Sequence, residues 1–152
     1  MRAVIQRVSS ASVTVDGTVV SRINNGLCIL VGLKVGDTDT EMDYITKKIM
    51  GLKVFQGTQS GKQWDANIKD INGDVLCVSQ FTLYAKTSKG NKPDFHLAMK
   101  NTESQDMYNR FLEKMRAAYD PEKIKDGVFG AMMKVDIVNE GPVTIILDTD
   151  NK

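Results

Sequence analysis

The sequence predicts an α/β fold in one compact domain spanning residues 1–152. Three observations carry this expectation. A chain of 152 residues with 41% hydrophobic content suits a single domain with a real core. Short β-branched runs are bounded by turn signals, as strands are. Two longer stretches instead repeat their apolar residues at helical spacing.

The elements follow in order. Residues 3–8 alternate loosely with polar residues and predict a first strand. Ser12–Val15 and Thr18–Ser21 flank Asp16-Gly17. An Asp-Gly pair between β-branched runs predicts a hairpin, because both turn residues must tolerate positive φ. Gly26–Leu33 is nearly all apolar, which predicts a strand buried on both faces. Residues 38–50 predict a helix. Thr38 and Glu41 have capping-box spacing, and Met42, Ile45, Ile49 and Leu52 make one apolar stripe. Leu52–Phe55 reads as a short strand, and 57–73, rich in Gly, Asn and Asp, as loop or irregular hairpin.

Asp74–Tyr84 gives the clearest strand pattern, and loop follows to Lys100. Thr102–Tyr119 predicts the second helix, with Thr102 and Gln105 as its capping box and Pro121 marking its end. Met107, Tyr108, Phe111, Leu112, Met115 and Ala118 form its apolar face. Ala131–Val138 and Val143–Asp148 predict two final strands joined at Gly141-Pro142. The sum is about seven strands and two helices, with no linker, repeat or low-complexity tract.

Composition narrows the function classes. A net charge of +1 argues against a protein that coats nucleic acid through many phosphate contacts, but not against one that grips only an RNA end. Lys86, Lys89, Lys92 and Lys100 do gather locally, either as a solvated basic loop or as such a grip. No apolar run approaches the roughly 20 residues of a membrane helix, and the charged N-terminus is no signal peptide. A soluble, cytoplasmic protein is the expectation. Cys28 and Cys77 sit in apolar runs and read as small buried hydrophobes. With one histidine and no Cys-x-x-Cys, no metal site is expected. With no glycine-rich nucleotide loop, no cofactor is expected either.

Candidate chemistry is sparse. A Ser-His-Asp arrangement would need His96, oriented by Asp94 or a distant Asp, with Ser79 or Thr82 as nucleophile. A lone histidine in a Pro-containing loop is more often a surface residue or a substrate contact. If the strand through residue 84 stays regular, Gln80 and Thr82 share one face, and Ser79 and Phe81 the other. Polar groups there either line a site or simply bond to neighbouring backbone. Gly141-Pro142 is either a plain turn or a rigid element presenting backbone to a ligand. Phe129-Gly130-Ala131-Met132-Met133 is either ordinary core or a pocket for a flat base.

With these segments in order, the chain resembles D-aminoacyl-tRNA deacylases over nearly its whole length. The resemblance rests on Met1–Val8, Gly26-Leu27, Ser79-Gln80-Phe81-Thr82-Leu83, Lys89-Gly90-Asn91-Lys92-Pro93 with Phe95, Phe129-Gly130-Ala131 with Met133, and Asn139-Glu140-Gly141-Pro142-Val143-Thr144. It implies a barrel-like curl of mainly antiparallel sheet with two principal helices packed outside. It implies a homodimer with active sites at the subunit interface, acting on the 3′ end of aminoacyl-tRNA, without a further stable protein partner or a membrane. Ser79, Gln80 and Thr82 would hold the reacting ester. Phe81, Phe129, Gly130, Ala131, Met133, Lys92, Pro93, Phe95 and His96 would bind the tRNA end. Gly141-Pro142, with a cis bond, would reach into the partner's pocket and exclude L-amino acids, while D-amino acids and achiral glycine enter. Asn139, Val143 and Thr144 would flank this motif, and Arg7 would hold it.

Two mechanisms are compatible with the residues. Thr82 could form an acyl-enzyme, or the RNA's own 2′-hydroxyl could assist water beside backbone donors. The second is favoured, because no base for Thr82 is evident. The family often has Arg at position 92, Ser at 94, Asp at 132 and an acidic run after Phe55, where this chain has Lys92, Asp94, Met132 and Gln56-Gly57-Thr58. Trp64-Asp65 also replaces a more common polar pair. The alternatives are a sister deacylase that clears a mischarged L-amino acid and a DNA-binding replication accessory.

Overall fold

The computed structural model describes all of residues 1–152. Six strands and two α-helices are present: β1 (Arg2–Val15), β2 (Thr18–Ile23), β3 (Gly26–Gly32), α1 (Asp39–Gly51), β4 (Asp74–Ser79), α2 (Asn101–Ala118), β5 (Ile124–Asp126) and β6 (Lys134–Asp148). They form one sheet in the order β2-β1-β3-β4-β5, with β6 on the other side of β1. The three pairings of β1 are antiparallel, while β3–β4 and β4–β5 are parallel. The two ends of the path approach each other, since the Ser21 hydroxyl donates to the Asp126 carbonyl. The sheet is therefore nearly closed, like a barrel.

Two apolar cores follow from strand alternation. On one face Leu27, Ile29, Val31, Val75 and Cys77 meet the helices through Met42, Ile45, Ile49, Phe111 and Met115. On the other face Cys28, Leu76 and Val78 meet Val8, Ala11, Val13 and Ile23 inside the curl. β3 is thus buried on both faces, as its unbroken apolar run predicts. Val8 and Ala11 are three apart and would face opposite ways in a regular strand. A register shift between Val8 and Ser10 inserts Ser9 and brings both to the inside.

Several local predictions hold for stated reasons. Asp16 and Gly17 both adopt positive φ, at 49° and 79°, and close the β1–β2 hairpin. The Thr38–Glu41 capping box forms, with the Thr38 N–H donating to the Glu41 carboxylate at 2.7 Å. Both cysteines are buried and unpaired.

Other elements differ from the sequence reading. β1 is one 14-residue strand rather than two pieces, because β6 pairs along nearly all of it. Leu52–Phe55 is no strand, since only Phe55 bridges, to Ala66. β4 stops at Ser79, not Tyr84, because its neighbour β3 ends at Gly32 and β5 pairs only as far as Cys77. Helix α2 starts at Asn101, and Lys100 at its cap makes no side-chain cap bond, so the Thr102–Gln105 box is not used. The last two predicted strands are one strand, β6, with Gly141-Pro142 inside it. No helix is long and apolar enough to cross a membrane.

Phe111 is fully buried between α2 and the sheet. Phe111→Ala is expected to lower stability by about 3–5 kcal/mol. Urea unfolding checks this, with the midpoint falling and the slope unchanged.

Candidate functional site

The Ser79 segment is built by the end of the parallel strands. Ser79 is the last residue of β4, beside Val31 of β3. The Gln80 N–H donates to the Val31 carbonyl at 2.7 Å, and the chain then coils into one 3-10 turn, Phe81–Tyr84. Gly32 makes room for this turn: a Cβ there would lie 2.9 Å from the Leu83 Cβ. The face alternation expected for residues 79–82 therefore does not apply. Gln80 folds back instead and donates its side-chain amide to the Thr82 hydroxyl at 2.5 Å. Phe81 and Thr82 are exposed.

Arg2 holds this turn from beneath, a role that nothing in its sequence neighbourhood signals. Its guanidinium donates to the Leu83 carbonyl at 2.8 Å and to Asp148 at 2.9 Å, and stacks over the buried Tyr84 ring at 4.5 Å. Burial alone would raise the Asp148 pKa. The Arg2 hydrogen bond, the Asp150 N–H and the Arg2 charge outweigh burial and hold it below the usual carboxylate range.

Two loops border the turn. Lys86 and Asp94 exchange both backbone hydrogen bonds, so residues 87–93, including Lys89, Lys92 and Pro93, form an exposed excursion. At its base the Phe95 ring packs edge-on against Phe81, 5.0 Å between centroids. His96 pairs with Asp94, which lowers the Asp94 pKa. His96 makes no hydrogen bond to Ser79 or Thr82, and the partner of Thr82 is an amide, which is not a base. The second loop leaves β5, where Gly127 N–H reaches the Cys77 carbonyl next to the end of β4. Phe129 in it leans on Tyr108 at 5.9 Å, and Tyr108 donates to Asp126 at 2.5 Å. Gly130 turns with φ 75°, Ala131 closes that turn onto the Val128 carbonyl, and the Met133 sulfur accepts from the Val128 N–H. The thiols offer no nucleophile: burial pushes Cys28 up to about 11 and Cys77 higher still.

Gly141-Pro142 lies elsewhere. Val8 pairs with Asn139 and Gln6 with Thr144, so Glu140, Gly141, Pro142 and Val143 bulge out over Arg7 alone. A bulge suits proline, which cannot donate to a ladder. The Gly141–Pro142 peptide is cis, and both residues are exposed. Arg7 ties the bulge down, with Nε donating to the Glu140 carbonyl at 3.0 Å and a terminal nitrogen to the Val54 carbonyl at 2.8 Å. The Gln6 amide reaches the Thr144 hydroxyl at 3.5 Å.

Sheet register shows how far apart the two segments are. Ser79 is level with Val31 and Ala3, whereas the bulge is level with Arg7, Leu27 and Val75. That is about 13 Å along the strands, with β6 and β4 three strand spacings, or about 14 Å, apart. One chain does not bring them together. Two surface depressions, of about 620 Å³ between the N-terminal ends of α1 and α2 and about 500 Å³ along α1, include no residue of either segment.

Residues 4–148 match the family model described as D-Tyr-tRNA(Tyr) deacylase. A D-aminoacyl-tRNA deacylase of Drosophila melanogaster is 54% identical over 149 residues, covering 98% of this chain and 92% of its own. One from Saccharomyces cerevisiae is 51% identical over 150 residues, covering 99% of each. A solved structure described as c-Myc DNA Unwinding Element Binding Protein is 51% identical and superposes with a TM-score of 0.93, over 98% of this chain and 99% of its own.

Arg2→Met is expected to cost about 1 kcal/mol at neutral pH, the scale of a part-exposed charged contact. A carboxylate with a lowered folded pKa stabilises above its unfolded value and loses this as pH falls through the folded one. The deficit of the variant should therefore narrow in acid. Urea unfolding of both proteins at neutral and strongly acidic pH measures it, and an unchanged deficit would contradict the Arg2–Asp148 assignment.

Proposed function

As the chain belongs to the D-Tyr-tRNA(Tyr) deacylase family, we propose that it is a D-aminoacyl-tRNA deacylase, a hydrolase working as a cytoplasmic homodimer. It would cut the ester between a D-amino acid and the terminal adenosine of its tRNA. The chain-length match to D-aminoacyl-tRNA deacylases carries this reading. Two structural facts support the dimer. The two signature segments lie too far apart to share a site within one chain. β6 also leaves Val138 and Ile146 exposed, at 54% and 68%.

In this reading the adenosine lies between the Phe81–Phe95 pair and the Phe129–Met133 loop, where Gly130 and Ala131 leave room for a base. Lys92, Pro93 and His96 sit on the adjoining loop, toward the incoming RNA strand. Ser79, Gln80 and Thr82 surround the ester. The first N–H groups of a helical turn have no acceptor within it, so those of Phe81 and Thr82 would receive the developing oxyanion. Water attacks the carbonyl carbon, the bond to the ribose 3′-oxygen breaks, and that oxygen takes a proton relayed by the neighbouring 2′-hydroxyl. Thr82 stays uncharged throughout, consistent with its amide partner.

Selectivity comes from the partner's Gly141 and Pro142, framed by Asn139, Val143 and Thr144 and held by Arg7. Their carbonyls would fill the space that an L side chain needs. A backbone wedge cannot rotate aside, so it rejects one hand without recognising each side chain. Glycine, lacking a side chain, is accepted on the same ground.

Matched D- and L-aminoacyl-tRNA test the activity. Release of the D form should be faster by on the order of 100-fold or more, as an occluded pocket allows. Equal rates would overturn chiral selection, and faster L release would favour the sister activity.

The mechanism has its own test. Thr82→Ala should keep turnover within about tenfold, while a 2′-deoxy terminal adenosine should lose on the order of 100-fold or more. Loss of nearly all turnover in the Thr82 variant with binding intact would instead favour an acyl-enzyme.

A further inference from the structure

We infer that the groove along the last turns of α1, lined by Tyr44, Lys47, Lys48 and Lys53, receives the sugar–phosphate backbone of the substrate tRNA as it leaves the partner subunit's pocket. The inference rests on the deacylase reading above and adds a second contact surface to it.

The charges of α1 are sorted along its length, acids toward its N-terminal end and lysines toward its C-terminal end. Its acids are engaged: Asp39 with Arg110 and Asp43 with Lys114 on α2, and Glu41 with its own cap at Thr38. Its lysines are not. The lysines in ion pairs are Lys34, Lys114 and Lys123, so Lys47, Lys48 and Lys53 stay exposed and without a carboxylate. They border a depression of about 500 Å³ with Tyr44, Gly51 and Leu52. The Tyr44 ring lies under two ammonium groups, Lys152 at 4.5 Å and Lys48 at 6.0 Å. A lysine in the last turn also complements the helix dipole. Of the three, only Lys48 lies in that turn: Lys47 precedes it, and Lys53 lies beyond the helix and its C-cap at Leu52. In a chain of net charge +1, this local excess is a concentration of charge suited to a polyanion.

Position makes the partner specific. Lys53 precedes Val54, whose carbonyl takes the second Arg7 hydrogen bond, and the same Arg7 holds Glu140 beside Gly141. The groove and the Gly141–Pro142 bulge are therefore joined through one side chain. In the proposed dimer that bulge enters the partner's pocket, so this groove flanks the mouth of the site that the partner's Ser79 segment forms. The tRNA strand leading from the bound adenosine would cross subunits and lay its phosphates on Lys47, Lys48 and Lys53.

The test compares the homodimer with a Lys47→Gln, Lys48→Gln, Lys53→Gln triple variant on two substrates. One is full D-aminoacyl-tRNA, and the other is D-aminoacyl-adenosine, which carries no phosphate. On tRNA the variant should raise KM about tenfold or more at low salt with kcat unchanged. Each lost phosphate contact removes about 0.7–0.9 from the slope of log affinity against log salt, so the slope should flatten by about 2–3. On D-aminoacyl-adenosine the two proteins should match, and the corresponding Lys→Arg triple variant should behave as the parent on both. An unchanged KM and salt slope on tRNA would overturn the inference, as would an equal rise in KM on the adenosine ester. Retention of uncharged tRNA on filters separates this outcome from failure of the activity itself: if the parent releases no D-amino acid, the deacylase reading falls, whereas weakened tRNA retention by the variant reads the groove independently.

Discussion

The sheet depends on β1, which pairs with β3 along its first half and with β2 along its second, and with β6 along nearly all of its other edge. A strand in that position must satisfy two cores at once. Its first half sends Ala3 and Ile5 toward the helices, and its second half sends Ala11 and Val13 into the curl. The extra residue at Ser9 makes the change of face possible, because a regular strand would turn one of these sets to solvent. The bulge in β6 sits close by, opposite Arg7, so the feature proposed for selectivity belongs to the region where the sheet changes its packing partner.

The candidate chemistry is correspondingly a matter of backbone. The Phe81–Tyr84 turn exists because parallel pairing with β3 ends and Gly32 lets Leu83 approach closely. The Glu140–Val143 bulge is fixed by a guanidinium that bonds only to carbonyls. Arg2 and Arg7 are thus parallel devices at opposite ends of one strand segment, each holding a segment of irregular chain to β1. Arginine suits both places, since its several fixed donors can serve two acceptors at once.

What the sequence made legible was local. Asp16-Gly17 closed the hairpin and Thr38–Glu41 capped its helix because each feature depends on neighbours a few residues away. The double burial of β3 was legible because an unbroken apolar run has few other uses in a chain of this size. The end of β4 was not legible: Gln80–Leu83 has strand-like composition, and only the absence of a neighbour beyond Gly32 stops it. Thr102 is a good cap residue, yet the helix begins before it, at Asn101, with the Ser104 hydroxyl bonded back to the Asn101 carbonyl. Gly141-Pro142 reads as a turn in any local reading, because the pairing that carries the strand past it comes from β1, far away in sequence. Of the candidate site, the resemblance supplied the segments, and the structure set them about 13 Å apart along the strands and three strand spacings across the sheet.

That separation bears on how such a site can be selective. A pocket assembled from one chain could adjust to a larger side chain by moving a loop against its own core. Here the wall proposed to exclude the L side chain would arrive from a second subunit, seated on a strand paired along nearly its whole length and clamped at Glu140 by Arg7. Yielding would mean shifting a subunit interface or breaking that clamp, rather than rotating one bond. The same arrangement would allow the tRNA strand to be held by the subunit that supplies the wall while the ester lies in the other. Substrate grip and stereochemical exclusion would then both depend on the docking of β6, and the nearly neutral chain would need only a local concentration of lysines to guide the RNA there.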